Sequence, residues 1–178
     1  MSEHLLGICG ALRSGSHNRK LLHEAARFYA PAIFTEADLR LPLYDGDLEA
    51  AFGIPPEVQT LAGQIAAASV VVIATPEYNK SIPGVLKNAL DWVSRVKTPT
   101  WRDKPVAIVS AAGGREGGVR SQFALRLALV PLRARVLAGP EVALGDADNA
   151  FDAEHRLIDP RYRKALTELM QNLRHAAS

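Results

Sequence analysis

Short apolar runs alternate, from one end of the chain to the other, with stretches whose apolar positions recur every three or four residues. Residues 4–9 (HLLGIC) predict a buried strand, and the polar, glycine-containing segment 10–16 follows it. Leu21, Leu22, Ala25, Ala26 and Tyr29 then fall on one side of a helix. Residues 32–35 predict a short second strand, and 39–55, rich in Pro, Gly and Asp, a loop. Pro55 and Pro56 open the next helix, because proline is tolerated in a first turn, and its apolar stripe is Val58, Leu61, Ile65 and Ala68. Residues 69–75 (SVVVIAT) form the strongest strand, β-branched and apolar on both faces. A loop over 76–84 leads to an amphipathic helix over 85–96 through Leu86, Leu90 and Val93. Another two-faced strand, 105–110 (PVAIVS), precedes the glycine-rich stretch 113–118 and a helix near 121–130 that Pro131 ends or kinks. A weak fifth strand at 136–137 and a last helix over 161–174 complete the pattern.

Strands that are apolar on both faces and alternate with helices predict a parallel sheet covered on each side. Five strands and five helices in this order, without a repeat or a linker, predict one three-layer, doubly wound α/β domain over residues 1–178. In such folds ligands bind outside the carboxyl ends of the strands, where the strand order reverses. The loops after strands one, three and four are therefore the candidate site.

Composition narrows the function. With 178 residues, 48% of them hydrophobic and 22% charged, the chain can bury a core without disulfides or a structural metal. Twenty-one Lys and Arg against 19 Asp and Glu leave a dispersed +2, which argues against nucleic acid as a partner. The single Cys9 excludes an internal disulfide, and no clustered Cys/His pattern suggests a metal. The first residues lack a basic n-region, and no apolar run approaches the 18 or so residues of a membrane span. The expected compartment is the cytoplasm.

The first loop, GALRSGSHN, joins a buried strand to a helix. Such a turn offers free backbone N–H groups beside the positive end of the helix dipole. Arg13 adds a cation, and Ser14, Ser16 and Asn18 add short hydrogen-bonding side chains, together a cradle for a phosphate. Three other phosphate loops fail on spacing. A P-loop needs Lys after Gly15, where Ser16 stands, and a cysteine phosphatase needs Arg where Gly15 stands. The dinucleotide pattern G-x-G-x-x-G is absent as well. The plainer reading makes Ser16 only a helix cap and Arg13 a solvated loop residue. In the second loop, TPEYNKSIPG, two prolines stiffen the chain and Tyr78 and Asn79 offer an aromatic and an amide to a flat ring. The plainer reading there is a turn with Ser81 capping the next helix and Pro83 in its first turn.

The ordered set GALRSGSHN, TPEYNKSIPGVLKNALDW and SAAGGREGGVRSQ resembles the NAD(P)H-dependent FMN reductase family, flavodoxin-like enzymes that include quinone, chromate and azo-dye reductases. The resemblance covers roughly 110 residues, and its middle motif is the most specific. It implies a five-stranded sheet of order 2-1-3-4-5. It places Arg13, Ser14, Ser16, His17 and Asn18 around the FMN phosphate. Pro76, Glu77, Tyr78 and Asn79 would line the isoalloxazine ring, mostly through backbone amides, with Ser110, Gly113 and Gly114 bordering it. Two departures stand out: Ala11 replaces the usual serine, and Gly113, Arg115 and Glu116 replace a proline and small or apolar residues.

The implied chemistry is hydride transfer from NADPH or NADH to flavin N5 and then to an acceptor, in ping-pong order because donor and acceptor share one ring face. No side chain is expected to act as general acid or base. Arg115 is the candidate for a phosphate of the nicotinamide co-substrate, with a lean toward NADPH. The acceptor is a small molecule such as a quinone, azo compound or flavin, and the implied assembly is a homodimer or homotetramer. Trp92 is expected in the core or an interface. A flavodoxin-like electron carrier without nicotinamide turnover is the alternative, weakened by a sequence pI near 8.8 because such carriers tend to be acidic. A phosphate-binding regulatory module on the same fold is a third.

Overall fold

The computed structural model describes residues 3–98 and 100–177. Its sheet is built from β1 (His4–Cys9), β2 (Ile33–Ala37), β3 (Val70–Ala74), β4 (Pro105–Ala111), β5 (Arg135–Val136) and β6 (Val142–Leu144). The helices are α1 (His17–Tyr29), α2 (Gly46–Phe52), α3 (Pro56–Ala67), α4 (Gly84–Ser94), α5 (Val119–Leu129) and α6 (Pro160–Ala177), with a short 3₁₀ turn at Ala147–Asn149. The strands pair in the order β2-β1-β3-β4-β5, all parallel, with β6 also on β4. This is the doubly wound fold expected from the strand pattern, in the order that the family resemblance implies.

Side-chain alternation along the central strands explains the three layers. Val70, Val72 and Ala74 of β3 face one side, with Leu5, Val109 and the buried faces of α1 (Leu21, Leu22, Ala25) and α6 (Leu166, Leu169, Leu173). Val71 and Ile73 face the other, with Leu6, Ile108, α3 (Leu61, Ile65), α4 (Leu86, Leu90) and α5 (Leu125, Leu129). The central strands β1, β3 and β4 therefore bury both of their faces, and each such Val, Leu or Ile contributes on the order of 1.5–3 kcal/mol.

The structure departs from the sequence reading in three places. The segment 39–55 is not all loop: α2 forms within it, capped by Asp45, whose carboxylate accepts from the Asp47 and Leu48 N–H groups. None of its residues is buried, so no apolar stripe announces it. The fifth strand is two pieces, with Arg135–Val136 on the first half of β4 and Val142–Leu144 on the second. Third, Ser81 caps nothing, because α4 begins at Gly84 behind Pro83 and has no side-chain cap. Trp92 lies in the core at 2% exposure, its indole N–H donating to the Pro42 carbonyl at 2.8 Å. It holds the start of the α2 segment against α4.

Candidate flavin site

The chain runs outward from β1 to β2 and returns to the other side of β1 as β3, so the loops after β1 and β3 diverge. That divergence opens a crevice at the carboxyl ends of the strands. Gly10 at its floor admits both loops: a Cβ there would lie 3.0 Å from Pro83 and 3.1 Å from Pro76.

Loop one is held from behind. Arg19 donates to the carbonyls of Arg13 (2.9 Å) and Ala11 (3.4 Å), and Arg40 donates to that of Leu12 (3.2 Å). A planar trans peptide points its C=O and the following N–H in opposite directions. Three carbonyls turned toward guanidinium groups therefore turn the N–H groups of Leu12, Arg13 and Ser14 the other way. Arg19 is itself fixed by Glu36 at 2.7 Å. Ser16 is the N-cap of α1, its hydroxyl accepting from the Asn18 N–H at 3.2 Å, and the first turn carries no acidic side chain. The positive end of α1 is thus left for an anion.

Loop two is stapled to α5. The Ser121 hydroxyl donates to the Pro76 carbonyl at 2.9 Å and lies 2.7 Å from the Thr75 hydroxyl. The Glu77 carboxylate accepts from the Arg120 N–H at 3.1 Å, supplying the first turn of α5 with the cap that Gly118 cannot. Tyr78 and Ser81 exchange backbone hydrogen bonds of 3.0 and 3.1 Å across a two-residue turn. Asn79 (φ 50°) and Lys80 (φ 64°) are both left-handed, the signature of a type I′ hairpin. Tyr78 stands at its base, 52% exposed.

Loop three follows β4. Gly117 (φ 61°) leaves no room for a side chain, since a Cβ would stand 2.4 Å from the Ala143 backbone. The Ser110 hydroxyl donates to the Gly117 carbonyl at 2.7 Å and accepts from Gln122 at 2.8 Å, wholly buried.

These loops enclose a cleft of about 230 Å³, lined by Arg13, Ser16, His17, Asn18, Pro76, Glu77, Tyr78 and Gly113, with Ala11, Ala111 and Ala112. Eight of the residues singled out from the sequence are thereby brought together. Ser14, Asn79 and Gly114 are exposed beside the lining, and the Ser110 side chain is turned into the protein. Arg115 lines a separate cleft of about 670 Å³ with Arg161, Tyr162 and Asp146, sharing Gly113 as the wall between the two. Asn18 spends its amide on the Ala111 backbone, so its side chain braces the cleft. Burial pushes the Cys9 thiol up, and its Sγ donates to the Ala11 carbonyl, which leaves it a protonated packing group.

Sequence reasoning missed Asp148. It arrives from the 3₁₀ turn and accepts from His17 Nε2 at 2.8 Å. The other ring nitrogen, Nδ1, is buried without a partner. An orphaned polar atom at an otherwise acid-free helix N-terminus fits a phosphate-bearing cofactor. Among the described residues no cluster of His, Cys, Asp or Glu could hold a metal.

Against known proteins, residues 4–149 match the family model of the NADPH-dependent FMN reductases. The chain belongs to that family. It is 46% identical over 171 residues to an NAD(P)H-dependent FMN reductase of Pseudomonas aeruginosa, covering 95% of this chain and 92% of the relative. It is 42% identical over 160 residues to a quinone reductase of Escherichia coli, covering 86% and 85%. Among solved structures, the flavoenzyme NAD(P)H:(acceptor) oxidoreductase FerB of Paracoccus denitrificans superposes with a TM-score of 0.88 at 28% identity, covering 98% of this chain and 97% of that one. The family match ends at residue 149, so the contribution of Asp148 lies at its margin.

Proposed function

We propose that this FMN-dependent NAD(P)H oxidoreductase holds the flavin phosphate in loop one and the ring against loops two and three. Hydride then passes from NADPH or NADH to a small acceptor such as a quinone, an azo compound or a second flavin, the two substrates taking turns. The observation that carries this reading is the single cleft in which Arg13, Ser16 and His17 meet Pro76, Glu77, Tyr78 and Gly113. Bound FMN would supply the hydride-accepting and hydride-donating chemistry.

The chain's own part is positioning. The loop-one N–H groups and Arg13 would hold the phosphate. The stapled backbone of residues 75–78 would give the ring edge rigid hydrogen-bond partners that need no reorganisation during transfer. This reading assigns no side chain as acid or base: Glu77 accepts from the Arg120 N–H, His17 is bound to Asp148, and Tyr78, which also lines the cleft, would pack against the ring. Arg115, which lines the cleft across Gly113, would meet a phosphate of the nicotinamide co-substrate, and NADPH is the preferred donor in this reading.

In this reading a second copy completes the outer wall of the cleft. Two apolar faces stand open for that purpose. Leu43, Leu48 and Phe52, at 81, 50 and 84% exposure, lie on and before α2. Phe123, Leu127 and Val130, at 62, 75 and 68%, form a stripe along α5. Two such faces fit a homodimer that pairs into a homotetramer. One buried thiol and the absence, among the described residues, of a helix able to cross a membrane support a cytoplasmic enzyme.

The test is anaerobic: load the purified protein with FMN, remove the excess, add NADPH and follow the flavin absorbance. Retained flavin that bleaches rapidly is the expected result. Flavin that stays oxidised with NADPH and NADH alike would make the protein an electron carrier, and loss of flavin would remove the assignments in all three loops.

A further inference from the structure

His17 opens α1 on the wall of the cleft, and Asp148 takes its Nε2–H at 2.8 Å. The backbone that carries Asp148 is anchored, while its side chain is 75% exposed. The neighbouring Ala147 is fully buried and donates its N–H to the Ala112 carbonyl at 3.2 Å. The second Asp148 oxygen lies over Gly113, 3.3 Å from where a Cβ would stand, so a side chain at 113 would push it away. Phe151, from the same segment, stacks on the His17 ring at 6.3 Å, and Lys20 lies 5.7 Å from the Phe151 ring. A neutral ring that donates from Nε2 keeps Nδ1 as a bare acceptor, and Nδ1 has no partner. An anion beside this ring would find a donor there only if the ring carried a second proton.

We propose that docking of the FMN phosphate turns His17 into an imidazolium held between two anions, Asp148 and the phosphate, so that FMN binding takes up a proton. Asp148 is the positioning residue: it orients the ring and stabilises the charged form. The proton comes from solvent and goes to Nδ1, since Nε2 is already protonated toward Asp148. The other charged groups around the ring are Arg13 in loop one, Lys20 on the next turn of α1, and Glu77 in loop two, already tied to Arg120. Loop three presents only Ala111, Ala112 and Gly113 to the cleft. This inference rests on the phosphate binding in loop one, as set out above.

Titration calorimetry of the flavin-free protein with FMN and with riboflavin tests it. The work is done near pH 8, where the FMN phosphate is already a dianion, in two non-phosphate buffers of different ionisation enthalpy. The wild type is expected to take up a fraction of a proton, up to one, per FMN and none with riboflavin. H17F, which keeps the stack on Phe151, is expected to abolish the uptake and weaken FMN by about tenfold, leaving riboflavin unchanged. D148N is expected to lower the uptake. The proposal fails if wild-type uptake is absent or survives H17F, or if D148N leaves it at the wild-type value. An equal loss of FMN and riboflavin affinity in H17F would also overturn it, by making His17 a packing residue. A wild type that binds FMN no more tightly than riboflavin would instead overturn the loop-one phosphate reading itself, and this inference with it.

Discussion

The Asn18 side chain meets the Ala111 backbone as a neighbouring strand would. Its Nδ2 donates to the carbonyl at 2.8 Å and its Oδ1 accepts from the N–H at 2.9 Å. One amide thus joins the first turn of α1 to the end of β4 and sets the spacing between loops one and three.

Replacing Asn18 by Asp removes the donor and sets a carboxylate oxygen against the Ala111 carbonyl, in a site that is 3% exposed. A loss of about 1–3 kcal/mol is expected, together with weaker FMN retention. Urea denaturation and flavin fluorescence measure the two. Full stability in N18D would show that the pairing contributes nothing.

Two glycines of loop three should behave oppositely. Gly117→Ala combines a φ of 61° with a Cβ 2.4 Å from the Ala143 backbone, and a marked fall in melting temperature is expected. Gly114→Ala meets nothing within 4 Å and should be tolerated. Equal melting temperatures for the two variants would contradict the close approach of loop three to β6.

Glu24 on α1 is 1% exposed and anchors the segment that carries Asp148. Burial alone would raise its carboxyl, but hydrogen bonds from Arg27, the Leu157 N–H and Arg156 outweigh that and hold it at about 2. A carboxyl depressed on folding adds stability above its unfolded value and loses it as pH falls. The contribution, on the order of 3 kcal/mol, should therefore be present above about pH 4.5 and fade toward pH 2. Urea midpoints across that range should fall more steeply for the wild type than for E24Q, which should already be destabilised at pH 7. Parallel curves would rule this out.

Arg115→Ala should raise KM for NADPH more than KM for NADH and leave FMN retention intact, because Arg115 lies in the cleft on the far side of Gly113. Steady-state kinetics with both donors decides. Unchanged KM values would leave Arg115 a solvated loop charge.

Leu127→Glu places a charge in the middle of the exposed α5 stripe, and Phe52→Glu places one on the apolar face at the end of α2. Sedimentation should show each variant in a smaller assembly than the wild type, with folding unchanged because neither residue is part of the core. An unaltered assembly in both would clear these faces of any role between subunits.

The central strands were legible because a parallel strand buried on both faces must be a continuous apolar run, as HLLGIC, SVVVIAT and PVAIVS are. The turns after them were legible because Gly, Pro and Asn mark places where the chain reverses. Helix α2 was not, since it buries none of its residues and so carries no inward-facing stripe. The split fifth strand was hidden for a related reason: two or three residues are too few to show a period.

Local order along the chain, together with the rule that a doubly wound sheet opens where its strand order reverses, determined the architecture and the three loops. It also determined the residue types that meet there. Only the tertiary structure decided which atoms remain free for a ligand. Asn18 gives its amide to Ala111, Glu77 gives its carboxylate to α5, and Ser110 gives its hydroxyl to Gly117. His17 receives a carboxylate from 131 positions away. A hydrogen bond depends on distances of about 3 Å between atoms that packing brings together, and residue spacing along the chain carries no record of them.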